Sequence, residues 1–310
     1  MQNSSKTAKS IIIMILFSIG SKLLGFVREM LIAAKFGSGI ETDTFFIALA
    51  ATGLFTSMFT QSLNTTLIPI LSDIERHEGT EGKKKYINNL LNIVILISVV
   101  LVLFGWAFAP LIIKLIAHGF EGAQFDLAVT MMRIGMPVII FSGIVGIYRG
   151  YLQSESMFIE SSISDFPFNL TYIIFLIFIS TLFGVKGLMV TSVLAVLSQI
   201  LIQIPSIKKL KYAYEFRVNF KDPNIKKILY LVLPVLVSVA INDLNKIVDR
   251  SLASTLVNGS ISALNYSARL NSIVLAIFIT AIATVLFPLL SNAAGYKTYD
   301  RFKRLVRNGV

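Results

Sequence analysis

The stretch SIIIMILFSIGSKLLGFVREMLIAAKF, residues 10–36, is apolar over most of its length, yet it holds Lys22, Arg28 and Glu29 near its middle. At about 1.5 Å per residue such a run is long enough to cross a hydrocarbon layer of about 30 Å. A charge at the centre of a spanning helix costs roughly 2.5–3.5 kcal/mol on insertion scales, so it persists where a partner or a water-filled cavity receives it. The pattern returns downstream, with Asp243, Lys246, Asp249 and Arg250 inside residues 225–256 and Arg269 inside residues 260–292. Cations dominate, so the charges point to a path for an anionic cargo.

Composition agrees with a membrane setting. Apolar residues make up 55% of the 310 and charged residues only 15%, with a mean hydropathy of +0.76. A soluble domain is nearer 45–50% apolar and about 25% charged. Continuous apolar runs of about 20 residues exclude a β-barrel, whose strands alternate over about ten. The fold class is therefore an all-α polytopic membrane protein. Its eight expected spans are residues 10–36, 42–70, 86–117, 125–153, 159–183, 187–207, 225–256 and 260–292. The first is a span rather than a signal peptide, because no small-x-small cleavage site follows it.

Charge placement sets the expected orientation. Of the 28 Lys and Arg, 18 fall on one side of the spans: Lys6 and Lys9, Arg76 with Lys83 to Lys85, seven within 208–227 and five within 297–307. Only Lys35, Lys114 and Lys186 fall on the other. This positive-inside bias puts the N-terminus of a multi-pass membrane protein in the cytoplasm. It also explains the net charge of +11 without nucleic acid, since basic loops meet anionic membrane lipid. Residues 208–227, with Tyr212, Tyr214, Phe216 and Phe220 among lysines, read as an interfacial segment joining two halves.

An internal repeat divides the chain. Leu67-Ile68-Pro69-Ile70-Leu71-Ser72-Asp73 answers Leu286-Phe287-Pro288-Leu289-Leu290-Ser291-Asn292, and Lys22-Leu23 answers Asp243-Leu244. Six spans separate the copies, so both cross in the same direction, as in two lobes related by an axis along the membrane normal. The expected domains are a six-helix lobe at 1–212 and the first two helices of a second lobe at 213–310, which makes the chain a fragment.

The candidate site residues follow from this frame. Lys22 and Glu29 share a face of the first span and Arg28 the neighbouring one, with Gly20 and Gly25 able to bend the helix. Arg28 is a substrate contact or a partner of Glu29; a guanidinium fork suits phosphate. On the seventh span Asn242, Asn245 and Asp249 stand at i, i+3 and i+7, a stripe of oxygen donors fit for Na⁺ or a proton. Asp249 alternatively balances an arginine. Arg269 has no acid on its own helix and must find a partner or ligand. Asp43, at the outer start of the second span, is a helix-terminus anion or a site residue. Arg133, Arg149 and Asp165 are weaker candidates. Absent cysteine, distant His77 and His118, and no nucleotide-binding, nucleophile-elbow or zinc-protease motif argue against an enzyme. No cofactor is expected; transport would draw on Na⁺, H⁺ or the membrane potential.

These residues resemble the MurJ (MviN) family of lipid II flippases, within the multidrug/oligosaccharidyl-lipid/polysaccharide exporter superfamily. The resemblance is carried by Gly20-Ser21-Lys22-Leu23-Leu24-Gly25-Phe26-Val27-Arg28-Glu29, Phe36-Gly37-Ser38-Gly39, Thr42-Asp43-Thr44-Phe45-Phe46, Val248-Asp249-Arg250 and Tyr266-Ser267-Ala268-Arg269-Leu270. It implies a two-lobe fold of about fourteen helices that alternates between inward- and outward-facing states. It implies an undecaprenyl-pyrophosphate-linked peptidoglycan precursor as cargo, membrane lipids and cell-wall synthesis proteins as partners, and functional positions at Lys22, Arg28, Asp43 and Arg269. A sodium-ligand aspartate would fall on Asp249. Two departures matter. Lys22 stands where the family has arginine, and residues 54–61, LFTSMFTQ, lack the arginine pair many members carry in the second helix. An exporter of another polyprenyl-linked polysaccharide precursor, or a non-transporting membrane scaffold, are the alternative readings.

Overall fold

The computed structural model describes residues 2–272 and 275. The second copy of the proline motif at 286–292 and the basic stretch at 297–307 lie outside the described residues. In chain order the helices are α1 (Gln2–Phe36), α2 (Ile40–Ala107), α3 (Ala109–Ile116), α4 (Gly122–Gly135), α5 (Val138–Ser154), α6 (Phe158–Ile163) and α7 (Asp165–Ile174). A π-helical turn (Phe175–Ile179), α8 (Ser180–Lys209) and α9 (Pro223–Ala253) follow, then a helical stretch at 260–272. No strand occurs among the described residues. Among the described residues four stretches are long and apolar enough to cross a membrane: Ile40–Ala107, Gly122–Ser154, Phe158–Lys209 and Pro223–Ala253. Much of their apolar surface faces outward, as at Leu182 (78% exposed) and Tyr230 (80%), which suits lipid and not water.

Two of these stretches are too long for one crossing, and each doubles back at a glycine. A straight α2 of 68 residues would reach about 100 Å. At Gly79 the backbone takes φ 70° and ψ −174°, a conformation open to glycine and strained for other residues. Leu63, Leu67 and Leu71 before the break then share one core with Tyr86, Leu90 and Val94 after it. A Cβ at Gly105 would sit 3.8 Å from the Phe55 ring, so the two halves run antiparallel. The second reversal is at Gly184 (φ 55°, ψ −150°), which brings Gly187 against Phe175.

Other expected spans are broken rather than straight. The run expected at 86–117 stops at Ala107, and α3 starts afresh with Pro110 in its first turn. The run at 125–153 breaks at Met136 and Pro137 into α4 and α5. Proline lacks the N–H that would continue each helix. The glycines of α1 do not break it: the helix is continuous, and a Cβ at Gly20 would stand 3.1 Å from the Phe166 ring. Their use is close approach to α7. Gly146 and Gly150 do the same for α5, which packs onto Leu63 and Leu67 of α2.

The segment between α8 and α9 is extended and docked, not helical. Three amides of α2 hold its backbone. Asn88 donates to Ala213 O (3.1 Å) and accepts from Glu215 N (3.1 Å). Asn89 both donates to and accepts from the Asn219 backbone, at 3.0 and 2.6 Å. Asn92 donates to Glu215 O and Arg217 O, each at 3.2 Å. The hydroxyls of Tyr212 and Tyr214 donate to Asn88 and Asn92. The chain comprises two compact units, residues 1–265 and 266–310; α9 packs against α2 within the first.

Candidate functional site

Three cations gather where α1, α5 and α7 meet. Lys22 and Arg149 line one cavity of about 170 Å³, together with Ser21, Gln153, Ser161, Ser162 and Asp165. Lys22 is exposed. Arg149 Nη2 donates to Ser164 Oγ (2.8 Å) and to Asp165 Oδ1 (2.5 Å), and Gln199 on α8 donates to the same carboxylate oxygen at 3.1 Å. Asn169 of α7 connects this cavity to Arg28. Its amide donates to Ser21 O (3.2 Å) and to Asp165 O (3.1 Å), and its oxygen accepts from Arg28 Nη1 at 3.2 Å.

Arg28 is the more enclosed of the three, its side chain 13% exposed. Nη2 bonds Glu29 at 2.8 Å, and the guanidinium lies over the rings of Phe168 and Tyr172, 5.4 and 5.0 Å from their centroids. Stacking and pairing fix the direction of the fork. Both readings of Arg28 thus have a physical basis: Glu29 partners it, while Nε is buried without a hydrogen bond.

Asp43 stands at one end of the bundle, in the first turn of α2. It is 3% exposed and accepts from Gly259 N (2.7 Å), Ser262 N (2.7 Å) and Ser262 Oγ (2.5 Å). These are orphan donors at the start of the 260–272 helix, where an anion also meets the positive end of the helix dipole. Neighbouring contacts close the same end. Gly119 N donates to Ser254 Oγ (3.1 Å) and His118 bonds Ser251 Oγ (2.6 Å). Gly259 (φ 95°) approaches Ser38 so closely that a Cβ there would be 2.9 Å from Ser38 O.

On α9 the two polar stripes separate as their spacing requires. Asp243, 8% exposed, accepts from Ser57 Oγ of α2 (2.6 Å) and from Lys246 Nζ (2.9 Å). Asn242, Asn245 and Asp249 form the other stripe and are exposed. Asn242 spends its amide on Ser238 O. Among the described residues no donor from another helix joins these three, and no cluster of acids and histidines fit for a metal occurs. A sodium ion takes several oxygens from more than one direction, so this stripe alone does not make its cage. Arg269 lies in the second unit, exposed on its helix near Ser272.

Some residues with specific roles were passed over in the sequence. Lys83, counted there with the solvated basic loops, is 0% exposed, bonded to Glu75 (2.6 Å) and to Glu155. Asn88, Asn89 and Asn92 interrupt an apolar run on one helical face, an available signal for a backbone-binding stripe. Ser57, in the segment noted for lacking arginine, meets Asp243, and no spacing along the chain marks that contact.

Residues 32–310 match the family described as "Lipid II flippase MurJ". The chain belongs to that family. A relative in Buchnera aphidicola subsp. Baizongia pistaciae, "Probable lipid II flippase MurJ", is 31% identical over 303 residues, 96% of this chain and 59% of the relative. The "Lipid II flippase MurJ" of Burkholderia cenocepacia is 27% identical, covering 89% of this chain and 55% of that protein. A solved structure, "Lipid II flippase MurJ, inward closed conformation", superposes with a TM-score of 0.72 at 25% identity, over 93% of this chain and 60% of that one. An inward-facing multidrug resistance MATE family transporter gives a TM-score of 0.70 at 15% identity, which speaks for the fold alone. The chain thus spans about 60% of the length of these MurJ relatives.

Proposed function

We propose that the protein containing this chain is a flippase that moves a lipid-linked peptidoglycan precursor, lipid II, across the cytoplasmic membrane by alternating access. The observation that carries this reading is the joining of Lys22, Arg28 and Arg149 on one seam of α1, α5 and α7, in a chain of this family. A pyrophosphate is the part of such a cargo that cations hold. The apolar tail stays in lipid and supplies no reason for buried charge.

The contacts around Asp43 provide the second half of the mechanism. Alternating access needs one end shut while the other is open, and a clamp made of a few hydrogen bonds can be released and remade. In this reading that end faces away from the cytoplasm, since the basic loops and the N-terminus lie inside. The lobe boundary at 212/213, coupling through Na⁺, H⁺ or membrane potential, and cell-wall synthesis partners belong to the same proposal. The test is native mass spectrometry of the full-length protein with lipid II and competing lipid-linked sugars. Preferential retention of lipid II supports the reading; equal retention of an undecaprenyl-linked capsular precursor would move the assignment to another glycan.

A further inference from the structure

Arg149 is left without a role by the site residues that the family resemblance carries over. We infer that the cavity between Lys22, Arg149, Ser161, Ser162 and Asp165 is an anion subsite that takes one phosphate of a lipid-linked pyrophosphate, with Arg149 as its fork. The inference rests on the flippase reading and adds to it a residue and a place.

The donor count is the first argument. Arg149 commits Nη2 to Ser164 and Asp165, while Nε is buried without an acceptor. Among the described residues Nη1 has no hydrogen bond and Lys22 has no ion pair. A guanidinium offers five N–H donors in a plane and an ammonium three, so the cavity wall holds unused donors of the kind an oxyanion requires. Two cations against the single carboxylate of Asp165 leave the wall net positive. The second argument is position. A pair that only glued helices together would be expected between them, yet the side chains of Arg149 and Asp165 are 21% and 44% exposed and both line the cavity. Arg149 and Gln199 of α8 both donate to Asp165 at the cavity's edge.

The cavity, about 170 Å³ in volume, has room for a phosphate group.

The test uses the full-length protein in detergent, titrated with undecaprenyl pyrophosphate and, separately, with phosphatidylglycerol. Arg149→Gln and Lys22→Gln should each weaken undecaprenyl pyrophosphate about tenfold or more, the loss of one charge-assisted bond, and leave phosphatidylglycerol unchanged. Asp165→Asn should bind the pyrophosphate at least as tightly as the unaltered protein, because the wall becomes more positive. Arg149→Lys, which keeps the charge opposite Asp165, should retain the melting temperature and still bind several-fold more weakly.

Equal weakening by Arg149→Gln and Asp165→Asn, with equal falls in melting temperature, would show a structural pair and overturn the subsite. Unchanged pyrophosphate binding in Arg149→Gln and Arg149→Lys would overturn it too, as would equal loss of phosphatidylglycerol. Preference of the protein for a lipid-linked pyrophosphate other than lipid II, with Arg149 still required, would remove the lipid II reading and leave the subsite standing.

Discussion

Asp43 illustrates how much one side chain can do when charge and hydrogen bonding agree. Its carboxylate takes two backbone N–H groups and a hydroxyl from residues more than 200 positions away. Asp43→Asn keeps the size but replaces one acceptor oxygen by a donor facing other donors, at a cost of about 1–3 kcal/mol. We predict that this end of the bundle then opens more often. A cysteine placed at Ser254, buried now, should react with an impermeant maleimide roughly tenfold faster in the Asp43→Asn background, since about 1.4 kcal/mol is tenfold in an equilibrium. An unchanged rate would mean that Asp43 does not hold the closed end. The sequence offered Asp43 as a helix-terminus anion, which it is, but the helix it serves is not its own. Lys83 makes the complementary point. Lys83 itself is fully buried while Glu75 and Glu155 keep partial access to solvent, so Lys83→Met should destabilise by about 1–3 kcal/mol, the cost of losing charge-assisted hydrogen bonds, read as a fall in melting temperature. Restoring most of that loss with Glu75→Gln and Glu155→Gln added would confirm the cause.

At the scale of elements, the asparagine stripe of α2 does for the 211–222 segment what a neighbouring strand does for a sheet edge. Asn88 and Asn89 each supply a donor and an acceptor to the backbone and Asn92 a donor shared by two carbonyls, so the extended chain finds partners on that side. Burial pushes the Tyr212 hydroxyl above its ordinary value of about 10, with Tyr148, Tyr151 and Tyr214 adding to the shift. Tyr212 therefore stays protonated and keeps donating to Asn88. The sign follows from the raised value: this stabilisation is complete below about pH 10 and is lost as pH rises through the higher folded value. A spin label at Val218 should be immobile from neutral to mildly alkaline pH and gain mobility only at strongly alkaline pH. Asn89→Ala with Asn92→Ala should free it at neutral pH, and a label that stays immobile in that variant would refute the stripe as the holder. Sequence reading placed this segment correctly between two spanning runs, because the lysine density ends both runs. It missed the docking, since three amides inside an apolar helix look like a cost until their distant partner is known. Helix breaks were more legible. Pro110 and Pro137 mark theirs, and the reversals at Gly79 and Gly184 fall in the connections expected between residues 70 and 86 and between 183 and 187.

Across the whole molecule, the features set by solvent were legible and those set by long-range pairing were not. Apolar runs too long and too exposed for water fixed a helical membrane fold, and it is found again in the superposition on a MurJ structure. The sequence offers charges on four spans, Lys22 and Arg28, Asp43, Asp249 and Arg269, that could face one cavity, without the contacts that join them. What unites the first group is Asn169 on α7, a residue with no motif around it, linking Ser21, Asp165 and Arg28. The central claim is that this seam holds the anionic headgroup during transport. It is tested most directly by measuring lipid II exposed on the outer leaflet of cells depleted of their own flippase and supplied with the full-length protein carrying Arg28→Lys. That change keeps a charge against Glu29 and removes the guanidinium fork, so protein level and melting temperature should hold. The account predicts at least a tenfold fall in exposed lipid II; exposure equal to that of the unaltered protein, at equal protein level, would contradict it.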